Sequence, residues 1–170
     1  MSADWYKKLP QNRNFLTPTG FKFTLERFGG VDFFCQSASI PEVSMPTIEV
    51  ATPFRGVPII PGGGVEYGDL TVRFIVDEDL SNYMTVWNWI RDNGNGESFD
   101  GEGEGYSDGI LQILTSNFNP KFSVRFERLM PVQLTSIPFD FSVGEVEFFT
   151  ANVTFKYTRY TVCDLGLQPL

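Results

Sequence analysis

Apolar and polar residues alternate in several separate segments of this chain, and this pattern constrains the fold more than any other feature. The alternation runs through residues 21–25, 122–129 and 149–158, and residues 70–76 read as a further strand. A period of two places successive side chains on opposite faces of a strand, so each segment is predicted to have one buried and one solvated face. We therefore predict a mainly β fold: an antiparallel β-sandwich or barrel of two packed sheets.

One segment shows helical periodicity instead. Its apolar residues share one face of a helix expected from about residue 80 to 91: Leu80, Tyr83, Val86, Trp87 and Ile90. This stripe is predicted to pack against a sheet as a flanking helix. Three acids precede it, Asp77, Glu78 and Asp79, and we interpret them as a helix cap rather than as glycosidase carboxylates. Asn93 and Gly94 are expected to end the helix.

A long apolar segment at residues 47–64 interrupts the pattern of strands. Residues 47–52 alternate, and three prolines follow them: Pro53, Pro58 and Pro61. Ile59 and Ile60 stand between two of these prolines, where no sheet pattern is visible to bury them. We interpret this segment as a long apolar loop that a monomer has no reason to display.

The composition excludes most catalytic centres. The chain has no histidine, which removes Ser–His and Cys–His nucleophile pairs and any zinc site built from Cys and His. Cys35 and Cys163 are too few for a disulfide framework and are expected to be reduced. The glycine run at 62–64 lacks the following helix and lysine of a phosphate-binding loop. We predict no enzymatic activity, no metal and no cofactor.

Charge and hydropathy exclude two further classes. The net charge of −8 argues against a groove that grips nucleic acid, because phosphate binding needs clustered Lys and Arg. No apolar run approaches the ~20 residues that a membrane span needs. The N-terminal residues have no apolar core, so no signal peptide is expected. We predict a soluble protein, made in the cytoplasm, with no membrane partner.

A glycine-rich acidic segment follows the predicted helix. Residues 92–120 contain no Lys or Arg. Its acids are Asp92, Glu97, Asp100, Glu102, Glu104 and Asp108. Their spacing only loosely resembles an EF-hand loop, since Leu111 replaces the closing glutamate and no helix pair flanks the segment. We interpret it as a solvated loop without calcium.

Several short motifs follow one another in a specific order. They are Phe34-Cys35 before Ile40-Pro41, residues 68–72 before Asp77-Glu78, the helix with Trp87 near its end, residues 129–132, residues 137–140, a pause ending at Glu145, and NVTFKYTRY at residues 152–160. This order resembles that of the tail tube protein family of contractile-tailed, T-even-like bacteriophages. The resemblance covers about residues 21–160.

The resemblance implies a structural role without chemistry. In that family two packed β-sheets and a flanking helix form the subunit, and hexameric rings of subunits stack into a hollow tube inside a contractile sheath. It implies that this chain works in the virion tail, around a lumen that double-stranded DNA and the tape-measure protein pass through transiently. The implied partners are further copies of the chain, the tail sheath protein, the baseplate and the tail terminator.

We expect one domain over residues 1–170, with terminal extensions at 1–14 and 161–170. Four residues are predicted to contact the adjacent ring: Arg55, Val57, Ile59 and Ile60. The acidic loop, with Glu97, Asp100, Glu102 and Glu104, is predicted to face the sheath. Alternatives are a baseplate protein that initiates the tube, a secretion-system tube, a small-ligand-binding β-barrel, and a glycosidase.

Overall fold

The computed structural model describes residues 16, 18–27, 35–51, 53, 56–95, 105–139, 148–166 and 168–169; for 49–51 and 56–61 it describes only the backbone. These residues form eleven strands and one helix. In chain order they are β1 (Phe21–Leu25), β2 (Cys35–Ala38), β3 (Val43–Ser44), β4 (Thr47–Ala51), β5 (Gly56–Pro61), β6 (Glu66–Tyr67), β7 (Leu70–Ile75), α1 (Ser81–Asn95), β8 (Ser107–Leu114), β9 (Pro120–Leu134), β10 (Thr150–Lys156) and β11 (Arg159–Cys163).

Seven of these strands form one antiparallel system in the order β1-β8-β9-β10-β7-β2, with β11 added beside β9. Strand β9 belongs to both halves of this system. Its residues 120–129 pair with β8, and its residues 130–134 pair with β10. Arg128, at the change of partner, has a φ of 53°. The predicted mainly β, antiparallel fold with one helix is confirmed.

The core lies between the two halves of the strand system and the helix. Phe155 of β10 is fully buried, and its ring centroid lies 6.0 Å from that of Phe23 on β1. The indole of Trp89 on α1 contacts the same phenylalanine, with centroids 6.1 Å apart. One residue of β10 therefore connects both halves and the helix. Ala151, Val153 and Phe155 of β10 all face this core, which explains why apolar and polar residues alternate along the strand.

The helix is longer than predicted, and part of its predicted apolar face is wrong. Tyr83 and Ile90 pack against the core and Val86 is buried, but Leu80 and Trp87 remain 36% and 42% exposed. Leu80 lies before the first helical turn with a φ of 57°, so it does not share the helical phase. The buried tryptophan is Trp89. Gly94 does not end the helix, which continues to Asn95.

The start of α1 is fixed by a buried asparagine rather than by the three acids. The Asn82 side chain donates to the carbonyl oxygen of Ile75 at 2.8 Å and accepts from the backbone N–H of Asp77 at 3.3 Å. Leu80 is the residue whose carbonyl accepts the first helical hydrogen bond, from the N–H of Met84. Asp77 contacts the first turn through the hydroxyl of Ser81, which donates to its carboxylate at 3.0 Å.

The apolar segment predicted as a loop forms paired strands. Strand β4 pairs with β5, with Ile48 opposite Ile60 and Glu49 opposite Ile59, and β3 pairs with β6. We call residues 43–67 the ribbon. The sequence failed to predict β5 because it contains Pro58 and Pro61, but each strand of a two-stranded ribbon needs hydrogen bonds on one side only.

The C-terminal strand β11 runs to Cys163. Residues 161–163, expected in an extension, lie in β11 and pair with β9 from Thr161 to Cys163. The chain then turns back, so that the N–H of Asp164 donates to the carbonyl of Gln168 at 2.9 Å. Among the described residues, the helix lacks the length and apolar character required to cross a bilayer.

Candidate interaction surfaces

The base of the ribbon is attached to the body of the protein by two tyrosines. The hydroxyl of Tyr157 donates to the carbonyl oxygen of Gly68 at 2.7 Å, and that of Tyr160 donates to the carbonyl oxygen of Pro41 at 3.1 Å. The ring of Tyr67 lies against both, with centroid separations of 6.1 and 5.4 Å. Burial, with smaller contributions from neighbouring tyrosines and Asp69, raises the pKa of Tyr157 to about 12, so its phenol keeps the donated proton. Both ends of the ribbon, at Pro41 and at Gly68, are thus held against the body of the protein.

Beyond this base the ribbon exposes apolar side chains. They are Val43, Met45, Ile48 and Val65, each exposed over about half of its surface. A close backbone approach stiffens the ribbon at Gly62, whose N–H donates to the carbonyl of Pro46 at 2.8 Å. A Cβ at Gly62 would lie 2.5 Å from that oxygen, which leaves room for glycine only. A stiff element with unburied apolar residues is a typical protein interaction surface.

The structure places three of the four residues predicted for ring stacking on the ribbon. Val57, Ile59 and Ile60 lie in β5, on the strand that returns toward the body. Arg55 lies outside the described residues. The prediction that these four contact an adjacent ring stays a prediction.

A second apolar surface lies at the opposite end of β7. We call Phe139, Phe148 and Phe149 the end patch. The rings of Phe139 and Phe149 have centroids 5.1 Å apart, yet the three side chains are 76%, 63% and 41% exposed in that order. The carbonyl of Phe149 accepts from the N–H of Val76 at 2.8 Å, just past the end of β7, whereas the ribbon joins β7 at Leu70. The points at which the two surfaces adjoin β7 are therefore separated by the length of that strand, roughly 17 Å.

A groove runs along the exposed side of α1. It encloses about 550 Å³ between the helix and the last residues of β9, and its walls include Trp87, Ile90, Val132 and Leu134. The guanidinium of Arg91 lies 5.0 Å from the centroid of the Trp87 ring. Among the described strands, β9 is paired along 130–134 with β10 alone. The helix flank therefore offers an apolar groove beside an open strand edge.

The acidic loop begins and ends on the same helix. Glu97, Asp100, Glu102 and Glu104 lie outside the described residues. The chain returns at Gly105, whose carbonyl oxygen accepts hydrogen bonds from the indole N–H of Trp89 and the amide of Asn93, both at 3.0 Å. The described end of the loop is therefore held against α1 through Trp89 and Asn93, on a different face of the helix from the residues that line the groove.

The pKa shifts of Cys35 and Asp108 arise from burial and from contacts within the fold. Desolvation raises the pKa of Cys35 to about 11, so its thiol stays protonated. Although partial burial acts in the opposite direction, hydrogen bonds from Arg125 and the backbone N–H of Arg128 lower the pKa of Asp108. Within the described ranges no three Cys, Asp or Glu side chains are grouped so that they could hold a metal ion.

Sequence reasoning missed Asn82, Tyr157, Tyr160 and the end patch. Asn82 and the tyrosines act through backbone carbonyls that are remote in sequence or lie in another element, and no local pattern encodes such partners. Phe148 and Phe149 did carry a signal, because two adjacent phenylalanines at the start of an alternating strand cannot both face the core.

Comparison with known proteins identifies relatives across most of the chain. A family model described as phage tail tube protein matches residues 8–163. The tail tube terminator protein of Enterobacteria phage T4 is 29% identical over 134 residues, which cover 75% of this chain and 75% of that protein.

Solved structures with low sequence identity share the fold. A chain of the tube-terminating cap of the anti-feeding prophage superposes with a TM-score of 0.69 at 18% identity, covering 93% of this chain and 97% of that one. A chain of the PVC extracellular contractile injection system, from its extended sheath–tube complex, gives a TM-score of 0.67 at 16% identity, covering 97% and 99%. At these identities the likeness is one of fold alone.

Proposed function

The chain belongs to the phage tail tube protein family, and from that membership we propose that it forms a ring that terminates the tube of a contractile tail. The family is structural, and the chain is a tail tube or terminator type of protein. The observation that carries the proposal is the ribbon: a stiff, apolar surface, held at its base by Tyr157 and Tyr160, on a chain with a net charge of −8. The terminal position is supported by similarity to the T4 terminator.

Six copies close the proposed ring, which is the number that the resemblance to the tail tube family implies. In the part of the chain that the structure describes, β1 and β2 each pair on one side only. An unpaired strand edge tends to bind another strand, and a closed ring covers such edges. DNA and the tape-measure protein pass through the lumen, where net negative charge keeps the phosphate backbone from adhering.

The ribbon contacts the adjacent ring in this proposal. Arg55, Val57, Ile59 and Ile60 contribute to that contact together with the exposed apolar residues of the ribbon. Burial of one such side chain is worth about 1.5–3 kcal/mol. The gain is repeated around the ring, so small individual contacts add up to a stable joint.

The flank of α1 faces the sheath. The hydrogen bonds from Trp89 and Asn93 to the carbonyl of Gly105 support this arrangement, because they place the end of the acidic loop beside the helix. Glu97, Asp100, Glu102 and Glu104 attract a basic element of the sheath. Each exposed pair is worth only ~0–1 kcal/mol, so the effect depends on repetition around the ring.

A second candidate is the repeating subunit of the tube itself. It is favoured by the fold shared with a chain of an extended sheath–tube complex. A tube-initiating baseplate protein and a secretion-system tube differ from it in their partners rather than in fold.

Electron microscopy of the purified protein, alone and mixed with preformed tubes of the same phage, tests these candidates. A terminator gives single rings that bind one end of a tube and stop its growth. A repeating subunit gives stacks of indefinite length without any tube. Strictly monomeric protein by light scattering at high concentration, with no binding to tube ends, would overturn both.

A further inference from the structure

The end patch remains without a role in the surfaces assigned so far. The rings of Phe139 and Phe149 contact each other at a tilt of 55° and are both exposed, so they form a ready-made aromatic surface of roughly 200–250 Å². Exposed aromatic side chains of this kind are typical anchors of protein interfaces. Phe148, next to Phe149 in the sequence, adds further exposed aromatic surface at the same end of β7.

The surroundings of the end patch are acidic. Asp77, Glu78 and Asp79 directly follow Val76, the residue whose N–H bonds the carbonyl of Phe149, and Glu78 and Asp79 are exposed. From residue 129 to 155 the sequence contains no Lys or Arg. A nearby cation, Arg73, donates to the hydroxyl of Thr150 at 3.0 Å, on the outward face of the sheet.

A second copy of the chain is poorly suited to cover this patch. Head-to-tail stacking would bring the ribbon of one copy onto the end patch of the next, since these surfaces lie at opposite ends of β7. Among the described side chains, the ribbon and its base carry Glu42 and Glu66, both exposed. Acids would meet acids at every contact, and like charges in an interface oppose association.

The geometry points to a different protein as the occupant of the end patch: a segment that packs an apolar side chain against the exposed faces of Phe139 and Phe149 and carries Lys or Arg on either side. This inference deepens the proposed function, because it assigns the face of the ring that turns away from the tube. One ring then joins two unlike neighbours, the tube through the ribbon and a basic partner through the end patch.

A defined peptide probes this chemistry. A fluorescein-labelled synthetic peptide of about ten residues, with Leu and Trp flanked by Lys, is titrated with the intact protein and followed by anisotropy. The same peptide with Glu in place of Lys is the first control. We expect the Lys peptide to bind, the Glu peptide not to bind, and added salt to weaken the complex.

Paired variants locate the binding. F139S/F149S should weaken binding of the Lys peptide about tenfold or more, since the anchors of an interface dominate its affinity. F118S, which removes a phenylalanine that is 68% exposed on the turn between β8 and β9, should leave it unchanged. E78Q/D79N should weaken binding more than E42Q/E66Q, which removes the same charge at the ribbon.

Two results overturn the inference. Equal binding by F139S/F149S and the unaltered protein places the peptide elsewhere, and loss of self-association in F139S/F149S by sedimentation identifies a second copy as the occupant. If circular dichroism shows the double variant to be unfolded, F139S alone decides, because most of that side chain already lies in solvent. Failure of the unaltered rings to bind tube ends would overturn the proposed function and leave the peptide result standing.

Discussion

The hydroxyl of Tyr157 lies 2.7 Å from the carbonyl oxygen of Gly68, although 89 positions separate the two residues in the sequence. Gly68 is where the chain leaves the ribbon and enters β7. Pro41, where the chain enters the ribbon, is held in the same way by Tyr160. Both ends of the ribbon are therefore held by phenols, that of Tyr157 just after β10 and that of Tyr160 in β11.

Replacing both tyrosines with phenylalanine should free the ribbon while the sheets stay folded. Each lost hydrogen bond should lower the free energy of unfolding by about 1 kcal/mol. Hydrogen exchange should accelerate at residues 41–68 and stay unchanged in β10. Y106F, on a tyrosine whose ring contacts Arg128, is the control. Equal exchange in both variants would show that the phenols do not hold the ribbon.

Asn82→Ala should destabilise the protein more than any nearby asparagine change. Asn82 is buried, and its loss leaves the carbonyl of Ile75 and the N–H of Asp77 without their partner. The expected loss is about 2 kcal/mol in the free energy of unfolding, measured with urea. Asn88→Ala, on a half-buried helical position, should lose clearly less.

Replacing Ile59 and Ile60 with serine should block association with the adjacent ring and leave the fold intact. The reason is the loss of about 1.5–3 kcal/mol for each side chain buried in the joint. Electron microscopy with preformed tubes gives the readout, and L165S, another exposed apolar residue, is the control. An unfolded double variant would instead assign these isoleucines to the core.

Neutralising the acidic loop, by E97Q, D100N, E102Q and E104Q together, should weaken polymerisation of the sheath on the tube and reduce its dependence on salt. Exposed charge pairs are screened by salt, so the difference from the unaltered protein should shrink as salt is added. Ring formation should not change. Identical sheath assembly at low and high salt would leave the loop without this partner.

The stabilising effect of Asp108 should depend on pH. Its pKa is lowered in the folded state by Arg125, whose guanidinium lies 2.7 Å from the carboxylate. A lowered folded-state pKa stabilises the protein above the unfolded pKa, and this stabilisation disappears as the pH falls through the folded value. D108N should therefore lose about 1 kcal/mol at neutral pH, a figure that allows for solvent screening. The gap to the unaltered protein should close below pH 3.8.

The sequence predicted the strands whose period is visible and missed β5, whose prolines hide the strand pattern. Strands β7 and β10 were predictable because buried and exposed side chains alternate along them. The helix was predictable as an element, but its phase was not, because Leu80 lies outside the first turn and Trp89 rather than Trp87 reaches Phe155.

The candidate surfaces were predictable only in part. The apolar character of the segment around Ile59 and Ile60 indicated an interaction element, while its ribbon form depends on the backbone pairing of β4 with β5. The anchoring by Tyr157 and Tyr160 depends on contacts across 89 and 119 positions, which one sequence does not encode in any local pattern.

The carbonyl of Gly105 also makes residues 96–104 a natural place to lengthen the chain. Because the helix holds both the departing and the returning backbone, extra residues inserted there add only the slowly growing entropy of loop closure. A short epitope or fluorogenic tag placed between Asn95 and Gly105 should leave the strands undisturbed. In an assembled tail, the accessibility of such a tag would show whether the flank of α1 is covered by a partner or open.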